Sequence, residues 1–349
     1  MSRQYERPQA RGAGLRLHLN ENTAGCSPRV QRVLRDLTRE DAAFYPDYDA
    51  AIAASAAHFG VSADQVVLTN GLDDGIMLAS LVALRGATVA DPFEAIVVQP
   101  AFDMYAACAD AMGARILEVP PQPDLSFPLQ RVVDAIGPGT RIIFLTNPNN
   151  PTGLSIPRVT IAAIATAAPA ATVFLDEAYA DFAGQSMIED AASGAIPNLV
   201  VGRSFAKAFG LAGLRVGALI GSVETLAPIR RAILPYTLNA YAAAALPAAL
   251  GDRQYYEWYL AEVRESKRLL YDVLRRAGVR FWPSDGNFVL VHFGDDLDRV
   301  IAGVAERGIN IRDRSADPGC AGCARITAGV LDHTRQLIAA LEEVLCAGR

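Results

Sequence analysis

Two lysines, Lys207 and Lys267, are the only lysines in this chain, and the first lies in "VVGRSFAKAFGLAGLRVG" (200–217), a run otherwise fit for burial. All other basic side chains are arginines, so the scarcity alone is equally a matter of composition. The setting says more. Between Phe205, Ala206, Ala208 and Phe209 a lysine has no wet face to reach. A desolvated amine near cationic groups is the form that condenses with a carbonyl to a Schiff base. A second ionisable group, Asp176, closes the apolar stretch "TVFLD", where a carboxylate needs a cationic or hydrogen-bonding partner. Around this pair stand "NGLDDG" (70–75), "NPNNPTG" (147–153), Tyr179, and Ser204 and Arg215 on either side of Lys207. Taken singly, "NGLDDG" is as well explained as a helix cap and "NPNNPTG" as a loop.

Together these groups meet the needs of pyridoxal 5′-phosphate. The cofactor needs the amine of Lys207 and, on its pyridine nitrogen, the carboxylate of Asp176, which keeps the ring an electron acceptor. Asn150 and Tyr179 suit its phenolate oxygen, and Phe102 its ring face. The N–H groups of Gly71, Leu72 and Asp73 at a helix start, with Ser204 and Arg215, suit its phosphate.

These residues must be delivered by strand ends, since ligands of open α/β sheets bind beyond the carboxyl ends of the strands. The stretches "QVVLT", "AIVVQ", "RILEV", "RIIFLT", "TVFLD" and "LVVGRS" predict strands. The runs "DDGIMLASLVAL", "DMYAACADAM" and "RVTIAAIATAA" between them predict helices. The expected fold is α/β, with a mostly parallel central sheet flanked by helices in a large domain over residues 38–237. After Pro235 a long amphipathic stretch, 252–278, precedes strand and helix signals in "GNFVLVHF", "DLDRVIAGVAERG", "INIRDR", "CARITAG" and "TRQLIAALEEVL". They predict a smaller α+β domain, 238–349, joined by the N-terminal segment 1–37.

A net charge of −6 gives no general attraction to nucleic acid or anionic lipid. The opening "MSRQYERPQARGAG" has no apolar leader core, and no segment is long and apolar enough for a membrane span, so a cytoplasmic protein is expected. Five scattered cysteines do not suggest a disulfide framework. Cys320 and Cys323 form an isolated C-x-x-C, read as two reduced thiols with no metal.

The chain resembles the fold-type I, pyridoxal-phosphate-dependent aminotransferases, specifically the class II group around histidinol-phosphate aminotransferase. The resemblance is carried by "LHLNEN" (17–22), "FYPDYDAAI" (44–52), "NPNNPTG", "FLDEAYADF" (174–182), "SFAKAFGLAGLRVG" (204–217) and "CARITAG" (323–329). It implies that Lys207 holds the cofactor and shuttles the substrate proton. It implies a homodimer in which Tyr45 reaches the phosphate of the neighbouring subunit's cofactor. It further implies that Arg325 clamps the substrate carboxylate, that Arg312 helps it hold the phosphate of histidinol phosphate, and that Asn22 lies at the substrate end.

Departures from the family pattern fall at the substrate end, at the cofactor phosphate and in a loop near the ring. Thr23 and Ala24 stand where the family has Pro and Tyr, Ala206 replaces a common serine, Leu72 a small polar residue, and "ATVADPFEA" (87–95) is extended. The resemblance thus implies transfer between glutamate and imidazole acetol phosphate in a ping-pong cycle. Aromatic or specialised amino acids are alternative substrates. A same-fold decarboxylase of the threonine-phosphate type is a rival chemistry, and a cofactor-binding regulatory module without turnover is a rival of another class.

Overall fold

The computed structural model describes residues 14–88, 90 and 92–346. The opening stretch read for a leader lies largely outside them, as do residues 89 and 91 of the extended loop. The strands are β1 (Leu15–Arg16), β2 (Val66–Thr69), β3 (Glu94–Val98), β4 (Arg115–Val119), β5 (Thr140–Thr146), β6 (Thr172–Asp176), β7 (Leu199–Ser204), β8 (Gly217–Ile220), β9 (Arg280–Trp282), β10 (Phe288–His292), β11 (Ile309–Asn310), β12 (Arg312–Asp313) and β13 (Cys323–Thr327). A seven-stranded sheet takes the order β2-β8-β7-β6-β5-β3-β4. Its pairs β3–β4, β3–β5, β5–β6 and β6–β7 are parallel, while β8 runs antiparallel to both β2 and β7.

The parallel strands are apolar nearly throughout because helices cover both faces of such a sheet. Ile143, Leu145, Val173 and Leu175 point into one buried cluster, and Ile142, Phe144 and Phe174 into another on the opposite face. The alternation follows from the two-residue period of a strand. The carboxyl ends of β5, β6 and β7 therefore bring "NPNNPTG", Asp176 and Ser204 to one edge.

A four-stranded sheet, β12-β13-β10-β9, is antiparallel and packs on the helices Leu297–Glu306 and Leu331–Cys346. The stretch "INIRDR" divides between two sheets: β11 pairs in parallel with β1, and β12 pairs with β13. The N-terminal strand thus joins the smaller body. The helix Pro28–Asp36 and the alanine-rich helix Ala240–Leu250 do not: Val30 and Ala242 through Ala249 lie in the core of the large sheet. The expected boundaries at 37/38 and 237/238 cut through that cluster. The reason is chemical, since "AYAAAALPAAL" is apolar and slim enough to pack against the helix Asp49–Phe59. Among the described residues no helix is long and apolar enough to cross a membrane.

Candidate active site

A cavity of about 410 Å³ opens at the carboxyl ends of β5, β6 and β7, within the usual size range of small-molecule sites. Lys207, in the turn after β7, faces it from a wall of fully buried neighbours; Phe205 and Ala208 are at most 1% exposed. Its Nζ donates to the Leu19 carbonyl at 3.3 Å and stands 5.6 Å from the centre of the Tyr179 ring. The other lysine is remote in function: Lys267, on the helix Arg253–Arg276, donates to the Ser284 carbonyl at 2.6 Å, and burial pushes it down to about 8.

Asp176 ends β6 on the cavity floor. Its carboxylate accepts from the Tyr105 hydroxyl at 2.6 Å and from the Ala178 N–H at 2.8 Å. Burial outweighs these two donors and pushes its pKa up to about 6. A buried cavity-lining carboxylate with no ion pair among the described residues fits a protonated ring nitrogen. Tyr105 carries this arrangement. Its hydroxyl also meets Thr146 Oγ1 at 2.9 Å, its ring stacks on Phe144, and it meets Phe102 edge to face. Tyr105→Phe removes a donor to a buried anion and is expected to weaken cofactor binding roughly tenfold to a hundredfold. Titration of the cofactor-free protein, followed by absorbance, checks this.

At the other end of the cavity the helix Leu72–Leu84 starts at Gly71, with no side chain capping its first amides. Gly71 has φ +81°, a left-handed conformation that favours glycine, and a Cβ there would lie 2.6 Å from Arg215 Nη2 and displace that flexible guanidinium. The guanidinium over these amides is paired with Asp73 at 2.8 Å. Free helix amides and an arginine make an anion site that suits a phosphate. Ser204 lines the same cavity, its Oγ accepting from Ala206 N at 3.3 Å.

The substrate end is built by β12, β13 and the N-terminal segment. Arg325 is buried, donating to the His18 carbonyl at 2.8 Å and to Asn150 Oδ1, while its Nε has no hydrogen-bond partner. Burial pushes it down to about 10, with nearby Arg314 and Arg312 acting in the same direction. A buried guanidinium that lines a cavity and lacks a carboxylate partner among the described residues is suited to a substrate carboxylate or phosphate. Asn20, fully buried with φ +56°, ties the N-terminal segment down: its Nδ2 donates to the Tyr179 hydroxyl at 3.1 Å and its N–H to Thr327 Oγ1 at 3.0 Å.

Of the residues expected from the sequence, Leu72, Asp73, Phe102, Asn150, Asp176, Tyr179, Ser204, Lys207, Arg215, Arg312 and Arg325 all line this one cavity. Gly71 lies just behind Arg215. Asn22 and Tyr45 are elsewhere. Asn22 points away, its Nδ2 donating to the Ala208 carbonyl at 3.0 Å and its Oδ1 accepting from Ala24 N at 3.0 Å, so it braces the lysine turn. Tyr45 is 76% exposed and stacks on Tyr236 at 3.9 Å. Thr23 and Ala24 do not reach the cavity either; Thr23 Oγ1 accepts from Val330 N at 2.9 Å. The residues missed in the sequence are Tyr105, Asn20 and Arg314. Asn20 was within the quoted "LHLNEN" and Arg314 within "INIRDR", and nothing in local spacing set them apart.

The sheet order, the lysine turn and the carboxylate floor define a pyridoxal-phosphate-dependent aminotransferase of fold-type I. The chain belongs to the Aminotransferase class I and II family, whose model matches residues 13–341. It is 37% identical over 339 residues to histidinol-phosphate aminotransferase 2 of Ralstonia nicotianae, covering 95% of this chain and 88% of that one. It is 32% identical over 337 residues to the histidinol-phosphate aminotransferase of Anoxybacillus flavithermus, with the same coverage of 95% and 88%. The crystal structure of histidinol-phosphate aminotransferase from Sinorhizobium meliloti, in complex with pyridoxal-5′-phosphate, matches with a TM-score of 0.85 at 26% identity, covering 97% of this chain and 92% of that one.

Proposed function

We propose that this aminotransferase moves the amino group of glutamate onto imidazole acetol phosphate, giving histidinol phosphate. The observation that carries the reading is the pair Arg312 and Arg325, Cα partners across β12 and β13, a second cationic pole of the cavity carried by the four-stranded sheet and distinct from the anion site of Gly71 and Arg215. One pole takes the cofactor phosphate and the other an anionic substrate. The departures at Thr23 and Ala24 lie outside the cavity lining and leave this pole intact.

Bound between the poles, pyridoxal phosphate supplies the electron sink that makes the substrate Cα proton removable. The chain supplies the rest. Lys207 Nζ would hold the cofactor and, once freed by the incoming substrate amine, would take the proton from Cα and return one. Asp176, oriented by Tyr105 and the Ala178 N–H, would keep the proton on the ring nitrogen by its charge. Asn150 and Tyr179 would serve the phenolate oxygen, Phe102 the ring face, and Ser204, Arg215 and the Leu72 and Asp73 amides the phosphate. Arg325 binds the carboxylate of the amino donor, and Arg312 joins it for the phosphate of the acceptor.

In this reading the protein works as a cytoplasmic homodimer. Exposed Phe44, Tyr45, Leu234 and Tyr236 form an apolar surface that a second copy would cover, which takes Tyr45 to the neighbouring site. Two domains are part of the reading, with the divide after the helix Ala240–Leu250. Glutamate, histidinol phosphate and phenylalanine should each be titrated into the cofactor-loaded protein while its absorbance is followed. Conversion of the bound cofactor to its amine form by glutamate and by histidinol phosphate, with little response to phenylalanine, is the expected result. A response to phenylalanine alone would transfer the assignment to an aromatic substrate, and gas release without keto acid to a decarboxylase.

A further inference from the structure

Arg312 and Arg325 stand directly opposite each other across β12 and β13, an arrangement in which like charges repel. Arg314 follows Arg312 by two residues, the repeat that returns a strand's side chain to the same face, and its N–H continues the ladder to the Cys323 carbonyl at 2.9 Å. All three arginines line the active-site cavity. One carboxylate answers them directly. Asp317 is ion-paired with Arg314, and its N–H donates to the Arg314 carbonyl at 3.0 Å, so a tight turn holds the two together. The pair is well sheltered, with side-chain exposures of 11% and 19%.

The other carboxylates of the cavity are committed elsewhere: Asp73 to Arg215, Glu21 to Arg16 and Asp176 to Tyr105. Asp103, on the facing wall, lies close enough to Asp317 to oppose its ionisation. Even counting Asp103, guanidiniums outnumber carboxylates at this pole. Of glutamate's two carboxylates, the α-carboxylate placed on Arg325 and Arg312 brings one negative charge and two oxygens to these arginines and leaves Arg314 on Asp317. A phosphate monoester carries a second negative charge and a third oxygen, and Arg314 is the group placed to take them.

We propose that Arg314 is a specificity-determining arm, exchanging Asp317 for the phosphate of the acceptor and staying on Asp317 when the amino donor is bound. This rests on the reading of the site as one for a phosphate-bearing substrate. It gives the arginine cluster two charge states, one matched to a carboxylate and one to a phosphate dianion.

The test uses cofactor-loaded Arg314→Gln and Asp317→Asn proteins. Arg314→Gln should raise the KM for histidinol phosphate roughly tenfold or more relative to the KM for glutamate. Calorimetry with inorganic phosphate should show weakened binding to the same variant. Asp317→Asn, which removes the competing counter-ion, should move the KM for histidinol phosphate in the opposite direction. A merely structural role would move both substrates together and in the same direction in both variants; that result, or an unchanged KM ratio and phosphate affinity in Arg314→Gln, overturns the proposal while the function stands. A wild-type protein that responds to glutamate but neither binds nor turns over histidinol phosphate overturns the functional reading and this proposal with it.

Discussion

Lys207→Ala is expected to lower the rate of transamination by about four orders of magnitude or more, because it removes both the covalent anchor and the proton carrier. No other amine can step in: Lys267, the one remaining lysine, is held by the Ser284 carbonyl. The fold should hardly notice. Lys207 makes one hydrogen bond, to the Leu19 carbonyl, so its loss should cost stability only about 1 kcal/mol. Single-turnover absorbance with glutamate, beside a thermal melt, separates the two effects. A variant that melts like wild type but neither takes up visible absorbance nor reacts is the expected result. A yellow, active variant would remove Lys207 from the mechanism.

Asp176→Asn should act in opposite directions on activity and on stability. Without the carboxylate the ring nitrogen loses the charge that keeps it protonated, and a loss of about two to three orders of magnitude in turnover is expected, as for other preorganised electrostatic groups. In the cofactor-free protein the same substitution should stabilise. The pKa of Asp176 is raised to about 6 by burial, against about 3.9 in an unfolded chain. Between these values the folded state binds more protons than the unfolded one, so stability falls as pH rises through that window. Above pH 6 the buried charge costs about 3 kcal/mol, and near pH 3.5, where the carboxyl is protonated in both states, most of this cost is absent. Cofactor-free Asp176→Asn should therefore melt higher than wild type at pH 8 and gain little or nothing at pH 4. Melting curves at the two pH values decide it, and a destabilised variant at pH 8 would show that the hydrogen bonds from Tyr105 and Ala178 outweigh burial.

The strands that carry the chemistry were legible because they are short apolar runs ending in polar residues, and those endings are the site. β8 was not. Its residues, Gly217–Ile220, continue the apolar stretch after Lys207, and a four-residue run without alternation cannot be told from a buried turn. The division of "INIRDR" was hidden for a related reason, since the partner of a strand is not written in its own pattern. Tyr105 sits at helical spacing among core residues and is indeed core; only the position of Asp176 across the sheet reveals that its hydroxyl has work. Arg314 carries no local signal, because an R-D-R triplet at a strand end is most often solvated charge. Asn22 and Asn20 show the limit from the other side: two asparagines two residues apart, of which Asn20 reaches Tyr179 and Asn22 braces the lysine turn.

All but two of the 32 lysine and arginine side chains are arginines, which leaves the surface nearly blank to reagents that acylate or cross-link amines. In the cofactor-free chain such a reagent finds Lys207, half-buried at the wall of an open cavity. Once the cofactor is attached, that amine is no longer available. Lys267 and the terminal amine then supply a constant background, and the extent of amine labelling becomes a direct count of unloaded sites.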